Sequence, residues 1–242
     1  MALESSKVVV VGGSSGIGRG VATAAVDRGA EVVLVGRSQD KLRVASQELG
    51  GPSRVKTIAA DVTREEDVAR VFDETGSFDH LVITRGVPPL AAPIGSFDLD
   101  AVRAFIDIMV VSAISLAKHS QGKLRSGGSM TFTSGISKDR PGTSGGAVVA
   151  AVAGSFGYLA RALALELAPT RVNVVSPGWV DTPMWDDIVG PGKTALWEQM
   201  AARLPAGRIG TPADIALAYV FLMESAFTTG TILHVDGGHA LI

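Results

Sequence analysis

The 242-residue sequence contains no cysteine and only two tyrosines, and both shortages exclude chemistry. Without cysteine, the chain has no disulfide framework, no thiolate metal ligand and no cysteine nucleophile. The histidines lack the spacing of metal ligands, so we predict no metal site. There are four of them: His80, His119, His234 and His239. Two tyrosines leave few candidates for any reaction in which a phenol donates a proton.

The sequence also lacks a charge excess of either sign, because its formal net charge is −2. A chain without a basic field is not expected to bind nucleic acid or an anionic membrane surface. Residues 141–160 form an uncharged stretch long enough to span a membrane, but it includes Pro141 and five glycines, and its apolar pattern continues past Arg161. We interpret it as a buried helix after a glycine-rich loop and predict no membrane span.

The start of the sequence shows no targeting signal. The first seven residues contain no basic region followed by an apolar run, so we predict no signal peptide. Together with the absence of cysteine, this favours a cytoplasmic location.

Apolar segments of two types alternate along the chain. Short β-branched runs predict strands at residues 8–11, 31–35, 55–60, 80–84, 129–133, 171–176 and 232–235. Helical periodicity between them predicts helices at residues 17–28, 40–49, 64–74, 98–124, 148–167 and 212–223. Near-continuous apolar strands separated by helices are typical of a parallel sheet covered on both faces. With no linker or repeat in view, we predict one α/β domain over residues 1–242, a doubly wound Rossmann-type parallel sheet of about seven strands.

Two of the predicted helices begin with cap signals. Thr63 followed by Glu66 predicts a capping box at the third helix. Thr211 followed by Pro212 places proline at the first position of the last helix.

A glycine-rich segment directly follows the first predicted strand. It reads Val11-Gly12-Gly13-Ser14-Ser15-Gly16-Ile17-Gly18. Glycine takes backbone angles that a Cβ forbids, and bare backbone lets a pyrophosphate approach closely. The following helix directs free N–H groups and the positive end of its dipole at such an anion. Its place between a strand and a helix therefore predicts a dinucleotide-binding site rather than a simple tight turn.

The spacing Gly-x-x-x-Gly-x-Gly in this segment resembles the short-chain dehydrogenase/reductase family, with Val11 in place of the usual threonine. The resemblance extends over nearly the whole chain. Asp61-Val62 matches the adenine-contacting pair, residues 176–183 match the Pro-Gly-x-x-x-Thr loop that holds the nicotinamide carboxamide and pyrophosphate, and residues 207–212 and 235–238 match C-terminal segments. The resemblance implies cofactor contacts for Gly12, Ser14, Ser15, Gly16, Ile17, Gly18, Asp61, Val62, Gly86, Pro177, Gly178, Val180 and Thr182.

The end of the second predicted strand indicates which dinucleotide is bound. An NAD site places a carboxylate about 20 residues after the glycine loop, where it accepts hydrogen bonds from the ribose. That position is Gly36, followed by Arg37 and Ser38. A guanidinium without a carboxylate beside it can bind a 2′-phosphate through charge-assisted hydrogen bonds, to which Ser14 and Ser15 could add hydroxyl donors. The sequence therefore favours NADP(H); the alternative for Arg37 is a solvated surface residue.

The resemblance also implies a catalytic set: a serine after the fifth strand, a Tyr-x-x-x-Lys motif on the next helix and an asparagine on the preceding helix. In this chemistry a tyrosine with a lowered pKa protonates the carbonyl oxygen as hydride reaches the carbon. Ser134 matches the serine. The tyrosine position falls on Val149, the lysine position on Ala153 and the asparagine position on Met109.

No shift of register restores the missing motif. Neither Tyr nor Lys occurs between Arg140 and Gly157. The enoyl-reductase variant of the family, with a wider gap between Tyr and Lys, also fails, because Tyr158 is followed by no lysine before Lys193. We therefore expect an atypical or impaired active site.

Several residues could substitute, and each has a structural alternative. The family's Asn-Asn-Ala-Gly after strand four reads Ile83-Thr84-Arg85-Gly86. Arg85 could clamp a phosphate or polarise a carbonyl, or it could simply face solvent or an ion-pair partner. Ser134 alone is a poor proton donor and could be only a polar remnant.

Two loops in the predicted substrate region also carry candidates. Lys138, with Asp139 and Arg140, lies in the loop that borders the substrate in the family, but a plain charged loop is the alternative. Trp179 and Trp185 fall where the family builds its substrate wall, which suits an apolar ligand; packing or a subunit contact would explain them equally well.

Two functions stay open at this stage. The first is an NADP(H)-dependent oxidoreductase that moves hydride to or from a small carbonyl or alcohol substrate. The second is a non-catalytic NADP(H) sensor or partner subunit. The resemblance further implies a homodimer or homotetramer that pairs through the helices after strands four and five.

Overall fold

The structure is a computed structural model that describes residues 3–143 and 145–242. Its strands are β1 Lys7–Val11, β2 Glu31–Gly36, β3 Val55–Ala59, β4 Phe78–Ile83, β5 Leu124–Thr133, β6 Arg171–Pro177 and β7 Ile232–Val235. They form one parallel sheet in the order β3-β2-β1-β4-β5-β6-β7. The predicted doubly wound Rossmann-type sheet of seven strands is confirmed.

Helices cover both faces of this sheet. They are α1 Gly16–Val26, α2 Gln39–Glu48, α3 Glu65–Thr75, α4 Leu99–Ile106, α5 Ser112–Ser120, α6 Ala147–Glu166, α7 Met184–Val189, α8 Lys193–Arg203 and α9 Pro212–Glu224. One core packs α1, α2 and α9 against the sheet, and the other packs α3, α4, α5 and α6 against the opposite face.

The valine-rich strands explain why both faces are covered. Successive side chains of a strand point to opposite faces of the sheet. In β1, Val8 and Val10 join the core with α1 and α9, whereas Val9 and Val11 join the core with α3 and α5. All four are buried, as expected for a central parallel strand that has no face toward water.

The prediction of one continuous helix at residues 98–124 is wrong. The structure divides it into α4, a π-helical turn at Asp107–Val111 and α5, and β5 already begins at Leu124. Gly127 and Gly128 obscured the start of this strand. Gly127 has φ of +81°, and a Cβ on Gly128 would lie 2.3 Å from the carbonyl oxygen of Asp79, where the ladder between β4 and β5 is irregular.

The predicted capping box at Thr63 is also wrong. The hydroxyl and N–H of Thr63 both donate to Asp61 Oδ1, at 2.8 and 3.1 Å, and Glu66 pairs with Arg64 instead. Helix α3 therefore begins after Arg64 without a side-chain cap. At α9, the predicted start is confirmed, because Thr211 caps the helix with Pro212 in its first turn.

Sequence periodicity missed α7 and α8, but it predicted α6 within one residue at each end. Helix α6 is the one described helix whose length and composition would allow it to cross a membrane. It packs against β6, and Val152, Ala153 and Phe156 are buried on its inner side, while Tyr158 and Leu165 on its outer side are exposed. The prediction of a buried helix therefore holds for one face only.

Candidate cofactor and active site

A groove with a volume of about 730 Å³ lies at the carboxyl ends of β1, β2, β3 and β4. Strand β1 pairs with β2 on one side and with β4 on the other, so the strand order reverses direction there. The crevice at such a reversal is where open α/β sheets bind ligands. The turn at Asp107–Val111 and the segment around Thr182 close the groove from the other side.

The glycine loop forms the floor of this groove. Gly12 and Gly16 have positive φ values of +83° and +52°, which favour glycine. Ser15, the N-cap of α1, makes no side-chain capping bond, so it leaves the first N–H groups of the helix free for an anion. A Cβ on Gly18 would lie 2.3 Å from the carbonyl oxygen of Gly12 and 2.4 Å from Thr84 Oγ1. Gly18 therefore serves the close packing of α1 on the loop.

At the end of β2, hydroxyl and cationic groups converge. A Cβ built on Gly36 would lie 3.8 Å from Ser14 Oγ, and Arg37 and Ser38 line the groove beside it. Lys41 also lines the groove, from the first turn of α2, where its N–H donates to Ser38 Oγ at 3.3 Å. Sequence reasoning missed Lys41, although its position three residues after the N-cap was a usable signal.

Most of the cofactor-contact positions predicted from the sequence meet in the groove. Those lining it are Gly12, Ser14, Ser15, Gly16, Ile17, Arg37, Ser38, Asp61, Val62, Gly86 and Thr182. The hydrogen bonds from Thr63 lower the pKa of Asp61, to which the positive charges of Arg37 and Arg85 add. The groove therefore combines an ionised carboxylate with nearby guanidinium groups.

Four predicted contact positions do not line the groove. Besides Gly18, they are Pro177, Gly178 and Val180, at and after the end of β6. A Cβ on Gly178 would lie 2.7 Å from Asp236 Cα, so this glycine admits a close backbone approach. Val180 is buried and forms a bridge to Gly210. Their packing roles are visible, and their cofactor contacts stay a prediction.

The structure brings Ser134 next to the helix position expected for lysine. The N–H of Ser134 donates to the carbonyl oxygen of Val175 at 2.9 Å and continues the ladder between β5 and β6. Its hydroxyl donates to the carbonyl oxygen of Ala153 at 2.7 Å. Val149, one helical turn earlier, packs against the apolar core, as does Met109. Ser134 therefore places its hydroxyl against α6, where the positions expected for tyrosine and lysine carry apolar side chains.

Neither tyrosine reaches Ser134. Tyr219 is fully buried, and burial raises the pKa of its phenol; its oxygen lies 2.5 Å from Thr133 Oγ1, within the core of α1 and α9 on the opposite face of the sheet. Tyr158 is 75% exposed on the outside of α6, where the Arg161 guanidinium lies 5.8 Å from its ring centroid. A phenol near Ser134 is therefore absent from the described residues.

Arg85 turns away from solvent beside the groove. Its Nη2 donates to Ser112 Oγ, and the Ser112 hydroxyl in turn donates to the carbonyl oxygen of Ile108 at 2.6 Å. Within the described ranges, its Nε and Nη1 are buried without a hydrogen-bond partner. Burial lowers the pKa of Arg85 to about 10, and Asp61 opposes this shift. Arg85 is therefore neither the solvent-facing nor the ion-paired arginine that the sequence left as alternatives.

Lys138 is the centre of a polar cluster rather than part of an exposed charged loop. Its side chain is 8% exposed, and its Nζ lies 2.7 Å from His234 Nε2 on β7 and pairs with Asp139. His234 Nε2 is also 3.0 Å from Asp139 Oδ2. Burial opposes ionisation of Asp139, but the hydrogen bonds from Lys138 and His234 outweigh it and lower its pKa. Sequence reasoning did not anticipate the contribution of His234.

The three tryptophans of the chain form one aromatic cluster. The ring centroids of Trp179 and Trp185 are 4.9 Å apart, and Trp197 lies 5.8 and 5.5 Å from them. The His239 ring stacks at 6.4 Å from Trp179. Trp197, on α8, was missed because α8 itself was not predicted. The cluster adjoins the groove through Met184, the residue before Trp185.

Comparison with known proteins finds relatives along nearly the whole chain. A family model described as enoyl-(acyl carrier protein) reductase matches residues 11–240. The short-chain dehydrogenase/reductase ucsE of Acremonium sp is 35% identical over 260 residues, which cover 98% of this chain and 96% of the relative. The match includes both the groove and the segment around Ser134.

Solved structures also resemble this chain over nearly its whole length. The reductase/Diels-Alderase MalC from Malbranchea aurantiaca has a TM-score of 0.93 and 28% identity, and the match covers 100% of this chain and 98% of MalC. An NADPH-bound short chain oxidoreductase from Pseudomonas aeruginosa PAO1, described as containing an atypical catalytic center, has a TM-score of 0.88 and 26% identity over 97% of this chain and 96% of that chain.

Proposed function

The chain belongs to the short-chain dehydrogenase/reductase family, and we propose that it is an NADP(H)-dependent oxidoreductase with an atypical active site. Members of this family act on small molecules, and we propose a small carbonyl or alcohol as the substrate. One observation carries the choice of cofactor. Where an NAD site has a carboxylate, this groove has Gly36, with Arg37 and the Ser14 hydroxyl beside it.

The residues present fit a dinucleotide phosphate. The bare backbone of Gly12 and the uncapped N-terminus of α1 suit the diphosphate. Arg37, Ser38 and Lys41 offer charge-assisted and hydroxyl bonds to a 2′-phosphate. When bound, NADP(H) supplies or accepts the hydride. The NADPH in the similar oxidoreductase of Pseudomonas aeruginosa PAO1 supports this choice.

We call the part of the groove at the ends of β1, β2 and β3 the adenosine end. We call the sheet edge at the ends of β4, β5 and β6 the nicotinamide end; Ser134 lies there, beyond the residues that line the groove. At the nicotinamide end, Ser134 is the polar group proposed to face the substrate, as in the family. Its proton is engaged by the carbonyl oxygen of Ala153, while its oxygen lone pairs are available to a hydroxyl substrate. Loss of a general acid costs a factor of about 10²–10⁴ in rate and leaves the advantage of a positioned hydride donor.

The apolar residues at the nicotinamide end favour a second candidate, a non-catalytic NADP(H) sensor or partner subunit. Val149, Ala153 and Met109 occupy the positions that the family resemblance assigns to the tyrosine, lysine and asparagine. They bring no proton donor to the region beside Ser134. A protein that only binds NADP(H) would retain the adenosine end and lose this set, which is the pattern of residues in this chain.

A turnover screen separates the two candidates. The purified protein is loaded with NADPH, and the loss of NADPH absorbance is followed with aldehydes, ketones, quinones and enoyl compounds. The oxidoreductase proposal predicts substrate-dependent oxidation above the rate without protein. Tight NADPH binding with no oxidation by any compound class would contradict it and support the binding-protein alternative.

The remaining expectations concern ligand and assembly. The cluster of Trp179, Trp185 and Trp197 favours an apolar substrate, because it offers a large aromatic surface near the groove. A homodimer or homotetramer would cover the exposed apolar side chains on α4 and α6, such as Leu99 and Leu165. We propose a cytoplasmic protein without nucleic-acid or membrane partners.

A further inference from the structure

Arg85 carries a buried positive charge that the surrounding protein does not neutralise. Only its Nη2 has a partner, the uncharged Ser112 hydroxyl, while Nε and Nη1 have none in the described part of the chain. No described carboxylate lies within ion-pair distance of this guanidinium, and Asp61, the anion that acts on it, is itself bonded by Thr63. With its pKa lowered only to about 10, Arg85 stays charged at neutral pH.

The sheet register places the backbone of Arg85 beside that of Ser134. Ile83 pairs with Phe132, and two residues further along the adjacent strands come Arg85 and Ser134. Both side chains extend into the same helical layer, because Arg85 contacts Ser112 on α5 and Ser134 contacts Ala153 on α6. Adjacent strands are about 4.8 Å apart, so the two residues are near neighbours at the edge of the sheet.

The direction of the groove decides which half of the cofactor meets Arg85. This step rests on the proposed function. The residues proposed to bind the 2′-phosphate lie at the end of β2, the glycine loop lies at the end of β1, and β4 follows β1 in the sheet. A dinucleotide that runs in this order brings its nicotinamide half over the ends of β4 and β5. Arg85 also lines the groove on that side.

We propose that Arg85 determines the preference for the redox state of the cofactor, by disfavouring the cationic nicotinamide ring of NADP⁺ relative to the neutral ring of NADPH. The protein is thereby held in its NADPH-bound form. Ala153 brings no cation to this side, and Lys138, in the loop after Ser134, is paired with Asp139, so Arg85 carries the charge that has no carboxylate partner. The electrostatic repulsion is strong because the site is partly buried and Arg85 is shielded from water.

The test compares dissociation constants of NADP⁺ and NADPH, measured by titration in the absence of any substrate. Arg85→Met removes the charge and keeps most of the side-chain volume. We expect the ratio of the NADP⁺ constant to the NADPH constant to fall by about tenfold or more, from the repulsion of two unit charges at an effective dielectric constant near 20. Arg85→Lys retains the charge and should retain most of the ratio.

Arg37→Met is the matched control. It removes the same charge from the adenosine end, where NADP⁺ and NADPH are identical, so both should bind more weakly and the ratio should stay unchanged. If Arg85→Met leaves the ratio at the wild-type value, the proposal is wrong. If the wild-type protein binds neither nucleotide, the proposed NADP(H) function fails first, which is a different result.

Folding of the variants is checked by thermal unfolding. Replacing a buried, incompletely bonded charge by an apolar side chain of similar shape is often neutral or stabilising, so Arg85→Met should melt no lower than the wild type. Arg85→Gln provides a second neutral variant if Arg85→Met does not fold. An unchanged ratio in a folded Arg85→Gln protein would overturn the proposal in the same way.

Discussion

The adenosine end and the nicotinamide end lie along one sheet edge but offer a ligand contrasting surfaces. At the adenosine end, Gly12, Ser14 and Arg37 present backbone N–H groups, hydroxyls and a positive charge. At the nicotinamide end, Ser134 meets a backbone carbonyl, and Val149 packs into the core. The difference shows that the recognition of a dinucleotide and the supply of a proton rest on separate residues, which can change independently.

The largest expected effect comes from restoring the missing groups at the nicotinamide end. The double variant Val149→Tyr/Ala153→Lys should raise the rate of NADPH oxidation with a reactive carbonyl by a factor of about 10²–10⁴, the usual contribution of a general acid. Steady-state rates at saturating NADPH measure it. Val149→Phe/Ala153→Met is the control, because it adds similar bulk without a proton donor.

A double variant that folds and binds NADPH but is no faster than this control would contradict the comparison. In that case the two ends would differ in more than the absence of a phenol and an ammonium group.

The pH dependence of stability tests whether buried His80, on β4 between the two ends, stays neutral in the folded protein. His80 on β4 is buried, and burial holds its pKa down to about 4. The unfolded chain protonates this residue near pH 6.5, so the stability present above pH 6.5 should fall as the pH drops toward 4, by up to about 3 kcal/mol. Chemical unfolding of the wild type and His80→Asn at pH 7 and pH 4.5 measures it.

The Asn variant cannot titrate and can still bond to Ser129, which lies 2.9 Å from His80 Nδ1. It should lose less stability between these pH values than the wild type. Equal losses in both proteins would show that His80 is not held neutral in the folded state.

A single carboxylate at the adenosine end should shift the cofactor preference from NADPH toward NADH. Gly36→Asp would place negative charge close to Ser14 Oγ, where the 2′-phosphate is proposed to bind. NADPH affinity should fall by about ten- to a hundredfold, the value of one or two charge-assisted interactions, while NADH affinity should rise. Gly36→Asn is the uncharged control and should change the NADPH to NADH preference much less. An unaltered preference in Gly36→Asp would place the phosphate elsewhere.

The smallest expected effects compare two glycines, one on each of two helices: Gly18 on α1, after the glycine loop, and Gly154 on α6. A Cβ on Gly18 would lie 2.3 Å from the carbonyl oxygen of Gly12, so Gly18→Ala should lower the free energy of unfolding by about 1–3 kcal/mol. Gly154 on α6 has no atom within 4 Å of a built Cβ, and Gly154→Ala should raise it by about 0.5–1 kcal/mol. Denaturant unfolding measures both; a destabilising Gly154→Ala would contradict the open space assigned to that helix.

Sequence patterns predicted the sheet well because its strands are buried on both faces. A run such as Val8 to Val11 is typical of a strand buried on both faces, and the glycine loop after it requires backbone angles that other residues resist. The patterns failed where tertiary contacts determine how a helix begins or whether it is continuous. Asp61 took the hydrogen bonds of Thr63 that a capping box would have used, and a π-helical turn divided the helix predicted at 98–124.

The candidate site was predictable to a similar degree. Gly36 and Arg37 could be recognised from their distance to the glycine loop. Lys41 was overlooked although it lies three residues after Ser38, in the first turn of a predicted helix. His234 and Trp197 could not be assigned, because they reach the site from a distant strand and from an unpredicted helix. The buried state of Arg85 depends on Ser112, 27 residues away, and no local pattern reports such a contact.

The central claim is that the adenosine end binds NADP(H) although the nicotinamide end lacks the usual proton donor. Calorimetric titration of the wild-type protein with NADPH and with NADH, at the same salt concentration, tests it most directly. We expect saturable one-site binding of NADPH that is at least about tenfold tighter than that of NADH. Equal or tighter binding of NADH, or no binding of either nucleotide, would contradict it.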